Sequence, residues 1–296
     1  MTTDLLDLPR RSERRRPDAN WLLVLPAIVL VTAVLLVPLG QSLVRSVDPP
    51  SWTLEHYLSL FTDGVTLKVL GRTAVTAAIV TVCAFLIGYP YAYLMTRVGP
   101  RARSLLLVVV LVPFWTSVMA RNFAWIVILQ RGGPVNSFFE FLGIPGVVPY
   151  GNVSGVTIAM TQVLLPFMIL PLFSTLGSID RRLLLAARGL GSSPLAAFWK
   201  VFWPLSRGGV VAGMMLVFTL SLGFYVTPAL LGSPQESLIA QLLGQRTTQL
   251  LDFAGAGALG ILVLVTTLLL VAWANRFGGT VSAIGVVATT GSKGRS

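Results

Sequence analysis

An all-α protein that crosses a membrane several times is the fold class this sequence predicts, and three observations carry it. Hydrophobic residues make up 54% of the 296 residues, charged residues only 11%, and mean hydropathy is +0.80, a composition that cannot cover itself with polar surface. Six segments are apolar over roughly 18 residues or more, the length at which a helix rising ~1.5 Å per residue crosses the hydrocarbon. The 22 Lys and Arg residues, finally, collect on alternate connections between those segments.

Residues 1–20 are polar, with Arg10, Arg11, Arg14, Arg15 and Arg16 clustered, and are expected to form a basic tail. The apolar run 21–43 is too long for a signal-peptide core and no small-residue cleavage site follows it, so it reads as an uncleaved first span. Residues 45–71 form a mixed-polarity connection in which SWTLEHYLSLF has the pattern of a short amphipathic helix on the membrane surface. The second span is expected over 72–95, with Gly88, Pro90 and interfacial Tyr89, Tyr91 and Tyr93 near its end. A basic turn at 97–103 leads to a third span over 105–129 that contains Arg121. A Gly- and Pro-rich loop, 130–152, precedes the fourth span, 153–176, whose Pro166 and Pro171 are tolerated where neighbours re-satisfy the freed carbonyls. The fifth span is expected over 205–231, a loop over 232–254, the sixth span over 255–273 and a flexible tail over 274–296. Residues 72–273 thereby form a five-span core domain, around which the first span wraps.

The charges give an orientation. Sixteen Lys and Arg fall on the side that holds both tails, the 97–103 turn and the 178–204 connection with Arg207. Five fall on the other side (Arg45, Lys68, Arg72, Arg131 and Arg246), and Arg121 lies within a span. The positive side is cytoplasmic, so both ends are expected there. The formal net charge of +11 is then topological, and a nucleic-acid partner is not expected.

Several chemistries are excluded by the residues available. Cys83 is the single cysteine and His56 the single histidine, too few for an ordinary metal site. No G-x-x-x-x-G-K-[ST] loop exists to hold a nucleotide, so ATP hydrolysis is not this chain's own activity. No Asp, Glu or His falls within a span, which removes the usual parts of a proton- or sodium-coupled carrier and of an intramembrane enzyme. No cofactor is implied.

The connection from Ser178 to Pro204, SIDRRLLLAARGLGSSPLAAFWKVFWP, is the informative one. Arg181, Arg182, Arg188 and Lys200 make it too charged to cross the membrane, while Leu183, Leu184, Ala187, Leu190, Leu195, Phe198 and Phe202 recur at helical spacing. Gly189 and Gly191 interrupt it, and Ser193 followed by Pro194 reads as a restart. A helix, a turn and a second short helix are expected, an elbow whose apolar residues suit the groove of a partner.

Ala186, Ala187, Gly191, Val201 and Pro204 fit the pattern E-A-A, three residues, G, nine residues, I-x-L-P. This resembles the signature loop of permease subunits in binding-protein-dependent ABC importers of the type I fold. Leu185 stands at the Glu position and Trp203 at the Leu before Pro. The resemblance implies that the elbow is a coupling helix docking on a cytoplasmic ABC ATPase, with Leu185, Ala186, Ala187, Gly191, Ser192, Pro194, Leu195, Phe198 and Pro204 as coupling residues. It further implies a bacterial inner membrane as the location, and an ATPase dimer, a second permease subunit (copy or paralogue) and an extracytoplasmic solute-binding protein as partners, besides membrane lipid. PFWTSVMARNFAWIVIL, with Gly132, Gly133, Val135 and Asn136, is similar to the spermidine/putrescine-type permeases, which implies a small, polyamine-like solute. An ATP-independent carrier or channel, or a membrane scaffold, are the other readings of six spans, and neither accounts for the elbow.

Three further residues are singled out for the pathway. Arg121 either snorkels from the end of its span or lines the pathway and pins a gate by bonding carbonyls. Tyr225 and Thr227, beside Pro228, either line a mid-membrane pathway or pack around a proline kink. Asp48, Glu55, Asp63, Glu236 and Asp252 are either solvated loop charges or a receiving surface for a binding protein or cationic solute.

Overall fold

The computed structural model describes residues 20–47, 55–144, 146 and 148–277, so the expectations for 1–19, Asp48 and 278–296 lie outside the described residues. The described chain is helical throughout, without strands. Its elements are α1 Asn20–Ser46, α2 Glu55–Thr62, α3 Gly64–Arg97, α4 Pro100–Trp115, α5 Val118–Leu129, α6 Pro134–Phe141 and α7 Val153–Ser178. They continue with α8 Arg181–Gly189, α9 Pro194–Ala197, a π turn Phe198–Phe202, α10 Trp203–Leu222, α11 Val226–Leu231, α12 Ile239–Thr248 and α13 Phe253–Phe277. Five helical stretches are long and apolar enough to cross a membrane, and α4 with α5 and α6 makes a sixth bent by 100°.

The core is the packed trio α3, α7 and α10. Hydrocarbon offers helices no hydrophobic reason to associate, so close van der Waals approach at small residues drives the packing. Gly88 on α3 and Gly213 on α10 both face Met168 of α7; a Cβ there would come within 2.9 Å and 2.8 Å of its side chain. Ala84, Ala159, Met160, Leu164 and Ile169 complete the buried interior. Val75, Ile79, Val82 and Leu86 of α3 face outward, apolar surface that lipid covers. α1 packs on α13, and its residues 25–45 are exposed at nearly every position.

Four expectations need correction. The run 105–129 is not one helix: it turns sharply at Thr116 and Ser117, between α4 and α5. The fifth span does not begin after the elbow; one helical stretch, Pro194–Leu222, joins them. It also ends at Leu222 rather than 231, because Gly223 and Phe224 separate it from α11. Finally, the loops 130–152 and 232–254 carry helices of their own, α6 and α12. The short amphipathic helix is present as α2, with Leu60 buried and Tyr57 packed in the same cluster as Ala258 and Leu259 of α13.

Candidate functional site: the elbow and its aromatic anchor

The elbow is built by three local devices. Asp180 caps α8, its carboxylate accepting from the Arg182 amide at 2.9 Å. At the other end Gly191 takes φ +88°, its amide donates to the Arg188 carbonyl (3.0 Å) and the Ser192 amide to the Ala187 carbonyl (3.1 Å). That pair of bonds is a Schellman closure, and it needs a left-handed residue at this position. Ser193 then caps α9, its Oγ accepting from the Ala196 amide at 3.2 Å, with Pro194 at the first helical position. The expected helix, turn and restart are all present.

The second arm stays continuous with α10 despite Pro204. A proline ring crowds the carbonyl four residues back and leaves it without a donor. The π turn at Phe198–Phe202 lies over that carbonyl, and the Trp203 amide reaches back to the Phe198 carbonyl. The wider turn provides the room the ring requires, so a push on α9 is a push on α10.

Inward-facing rings tie the elbow to α3. Phe198 lies 6.2 Å from Tyr93 and 6.4 Å from Tyr89, and Phe202 lies 5.3 Å from Tyr93. Trp203 continues the row, 5.6 Å from Tyr89 and 6.2 Å from Phe85, with Trp199 packed on it at 5.6 Å. Tyr89 Oη and Ser206 Oγ share a hydrogen bond of 3.2 Å. Edge-to-face geometry at these separations fixes the rings relative to one another. The anchor was missed in the sequence reading, though its signal was present: aromatics spaced by four at 85, 89 and 93 on one helix and at 198 and 202, 199 and 203 on the other.

The outer face is apolar and open. Leu185 is 64% exposed, Leu190 89%, Leu195 69% and Trp199 55%. Of the other residues singled out, Ala186, Gly191 and Pro194 are exposed, Ala187 and Ser192 half-buried, Pro204 exposed, and Phe198 half-buried toward the anchor. Leu185, in the position where the motif has Glu, therefore extends an apolar surface instead of interrupting it with a charge.

The three residues singled out for a pathway sit at two helix breaks. Arg121 Nη2 donates to the Pro113 carbonyl, to the Thr116 carbonyl at 3.2 Å and to Thr116 Oγ1 at 2.9 Å. A cation thus satisfies the carbonyls left open where α4 ends. Tyr225 is half exposed beside Gly244 of α12, whereas Thr227 is fully buried with its hydroxyl unpartnered. The two do not share a surface, but α11, which carries Thr227, packs on α5, which carries Arg121.

The described acidic residues of the far end serve mainly structure. Asp63 caps α3 and meets Arg246 at 3.4 Å; Arg246 also approaches Asp252 at 3.9 Å. Bonds from the Thr66 hydroxyl, foremost, and the Val65 amide hold the Asp63 carboxyl below its ordinary value, and the Arg246 charge adds to this. Glu236 accepts from the Val153 amide at the start of α7 (2.7 Å), and Asp252 from the Gly255 amide (2.8 Å). No group of three or more metal-ligating side chains occurs among the described residues.

Comparison with known proteins follows the same lines. Residues 81–280 match the family described as binding-protein-dependent transport system inner membrane component. The spermidine/putrescine transport system permease protein PotB of Escherichia coli (strain K12) is 31% identical over 262 residues, 86% of this chain and 93% of that protein. PotB of Haemophilus influenzae is 33% identical over 223 residues, 74% of this chain and 78% of its own. Among solved structures, a bacterial ABC transporter importing the acidic polysaccharide alginate superposes with TM-score 0.71 at 17% identity, over 88% of this chain and 94% of that one. The same kind of transporter, in complex with an alginate pentasaccharide-bound periplasmic protein, gives TM-score 0.74 at 16% identity over 89% and 95%. At such identities the structures attest the fold alone.

Proposed function

The chain belongs to the family of inner membrane components of binding-protein-dependent transport systems, and from that premise we propose that it forms half of the pathway of an ATP-driven importer and couples that pathway to a separate ATPase through the 178–204 elbow. The observation that carries the reading is the elbow's two-sidedness. Its outer face offers Leu185, Leu190, Leu195 and Trp199 to a partner, while Phe198 and Phe202 fix its inner face to Tyr89 and Tyr93 of α3. ATPase closure moves the elbow, and α10, continuous with it, and α3, anchored to it, move together and alternate the access of the pathway.

Leu185, Ala186, Ala187, Gly191, Ser192, Pro194, Leu195 and Phe198 act as the docking and transmitting residues, with Pro204 and its π turn as the joint to α10. Arg121 holds the α4–α5 break, and Tyr225 and Thr227 mark the α10–α11 break beside the pathway. A second permease completes the pore, an ATPase pair lies on the cytoplasmic side, and a solute-binding protein delivers from outside. The tails and the elbow face the cytoplasm, and 72–273 is the core domain. The PotB relatives support a polyamine-like solute. With no carboxylate in the long helices, such a cation is met by aromatic faces and carbonyls.

The test is a pull-down of the tagged chain in mild detergent with an ATPase assay of the eluate. Recovery of an ATPase subunit, lost on Gly191→Trp, is expected. A chain that elutes alone and moves solute in vesicles without ATP overturns the reading in favour of a carrier.

A further inference from the structure

Beneath the elbow, where the ends of α3 and α7 meet the start of α4, lies a pocket of about 360 Å³ lined by Arg97, Arg103, Arg188 and the apolar side chains of Phe173, Leu184 and Phe198 among others. Among the described residues no Asp or Glu lines it. The three guanidinium groups are held in different ways. Arg97 donates to Tyr93 Oη and stacks over that ring at 4.8 Å; Arg103 Nε donates to the Met95 carbonyl at 3.2 Å and its guanidinium lies 5.9 Å from the Phe173 ring. The Arg188 side chain, from α8, makes no hydrogen bond or ion pair among the described residues. α4 opens beside them with no side-chain cap on its first amides, while α3 and α7 end there, so one positive dipole end meets two negative ones and the attraction for an anion comes from the three cations.

We propose that this pocket binds a phosphoryl anion, and that the group is the headgroup of an anionic phospholipid whose chain lies along the apolar wall. Like charges around one cavity repel, and an anion shared among them relieves that repulsion while using the forked donors of Arg in the geometry that suits phosphate. The level of the site favours lipid: it lies where three membrane-crossing helices reach the interface, and basic pockets between such helices take anionic headgroups. Leu185 and Pro194 also line the pocket, so it reaches from the bundle side to the exposed face of the elbow. A lipid held there ties α8 to α3, α4 and α7 and stiffens the anchored elbow.

The test uses the full chain in detergent and needs no ATPase, so its failure is separable from failure of the coupling reading. Native mass spectrometry counts retained phosphatidylglycerol against phosphatidylcholine, and thermal melting is followed with each lipid and with inorganic phosphate. Phosphatidylglycerol is expected to bind in preference and to raise the melting temperature, and Arg188→Gln to weaken its binding about fivefold, the effect of one surface cation. Arg207→Gln, an exposed arginine on α10 outside the pocket, is expected to bind as the parent does, which controls for general charge. Protection by inorganic phosphate equal to that by lipid keeps the phosphoryl site and assigns it to a soluble anion. Equal retention of both lipids, or unchanged phosphatidylglycerol binding by Arg188→Gln, overturns the proposal.

Discussion

At one end of α3, Arg246 lies between Asp63 and Asp252 and Arg72 donates to the Gln235 and Ser237 carbonyls. At the other end, some 50 Å away for a 34-residue helix, Leu185, Leu190, Leu195 and Trp199 stand exposed and the Arg188 side chain has no ion pair among the described residues. Both ends expose leucines, Leu250 and Leu251 at the first among them, so the difference lies in the ions. The first end pairs its charges inward on its own loops; the second is ordered by caps and aromatic rings and gathers arginines with no carboxylate among the described residues lining their pocket. The difference teaches that a latch that consumes its own ions is shaped to hold still, whereas a capped elbow with unmatched charge is shaped for company.

Substitutions break this contrast in a definite order. Gly191→Trp should act most strongly, abolishing transport and elbow-dependent ATPase stimulation while leaving insertion intact. Open space surrounds Gly191, so the folding cost is confined to a left-handed backbone, about 1–2 kcal/mol, and the bulk falls on the docking face. Uptake assays beside a membrane-fraction blot check it. Phe202→Ala, emptying a side chain only 4% exposed, should cost about 3 kcal/mol and lower the melting temperature, because it removes the ring that touches both Tyr93 and Phe198.

At the closed end the effects should be smaller and should leave coupling alone. Arg246→Gln removes one partner from two partly exposed carboxylates, worth about 1 kcal/mol, seen as earlier thermal release of α12 with ATPase stimulation unchanged. The pH effect of Asp63 is smaller still. Its carboxyl is held below the ordinary value, so its contribution is complete above the unfolded pKa and is lost as pH falls through the lower folded one. The melting temperature, followed from pH 6 down toward pH 3, should fall less for Asp63→Asn than for the parent.

The elbow was the most legible part of the sequence, because its determinants are local. Asp180, Gly191 and the Ser193-Pro194 pair act within a few residues of themselves, and the structure places each where its chemistry points. The bend at Thr116 and Ser117 was not legible, because an apolar run reads the same whether it continues or turns. Arg121 was the trace it left: a guanidinium in an apolar run requires carbonyls, and a broken helix supplies them. Pro204 suggested a boundary that the π turn removes, and α12, with Gly244 in mid-helix and a polar last turn, has a weak periodic signal. The pairing of Asp63 with Arg246 joins residues 183 apart, a separation no local pattern reports.

The central claim, that the elbow end docks an ATPase and the opposite end does not, is tested most directly by site-specific cross-linking. With Cys83 replaced by Ser, single cysteines at Leu195, 69% exposed on the elbow, and at Leu250, 69% exposed at the far end, are compared in membranes that also contain the system's ATPase. The account predicts an adduct with the ATPase from position 195, lost with Gly191→Trp, and none from position 250. Adducts from 250 and none from 195 would contradict it.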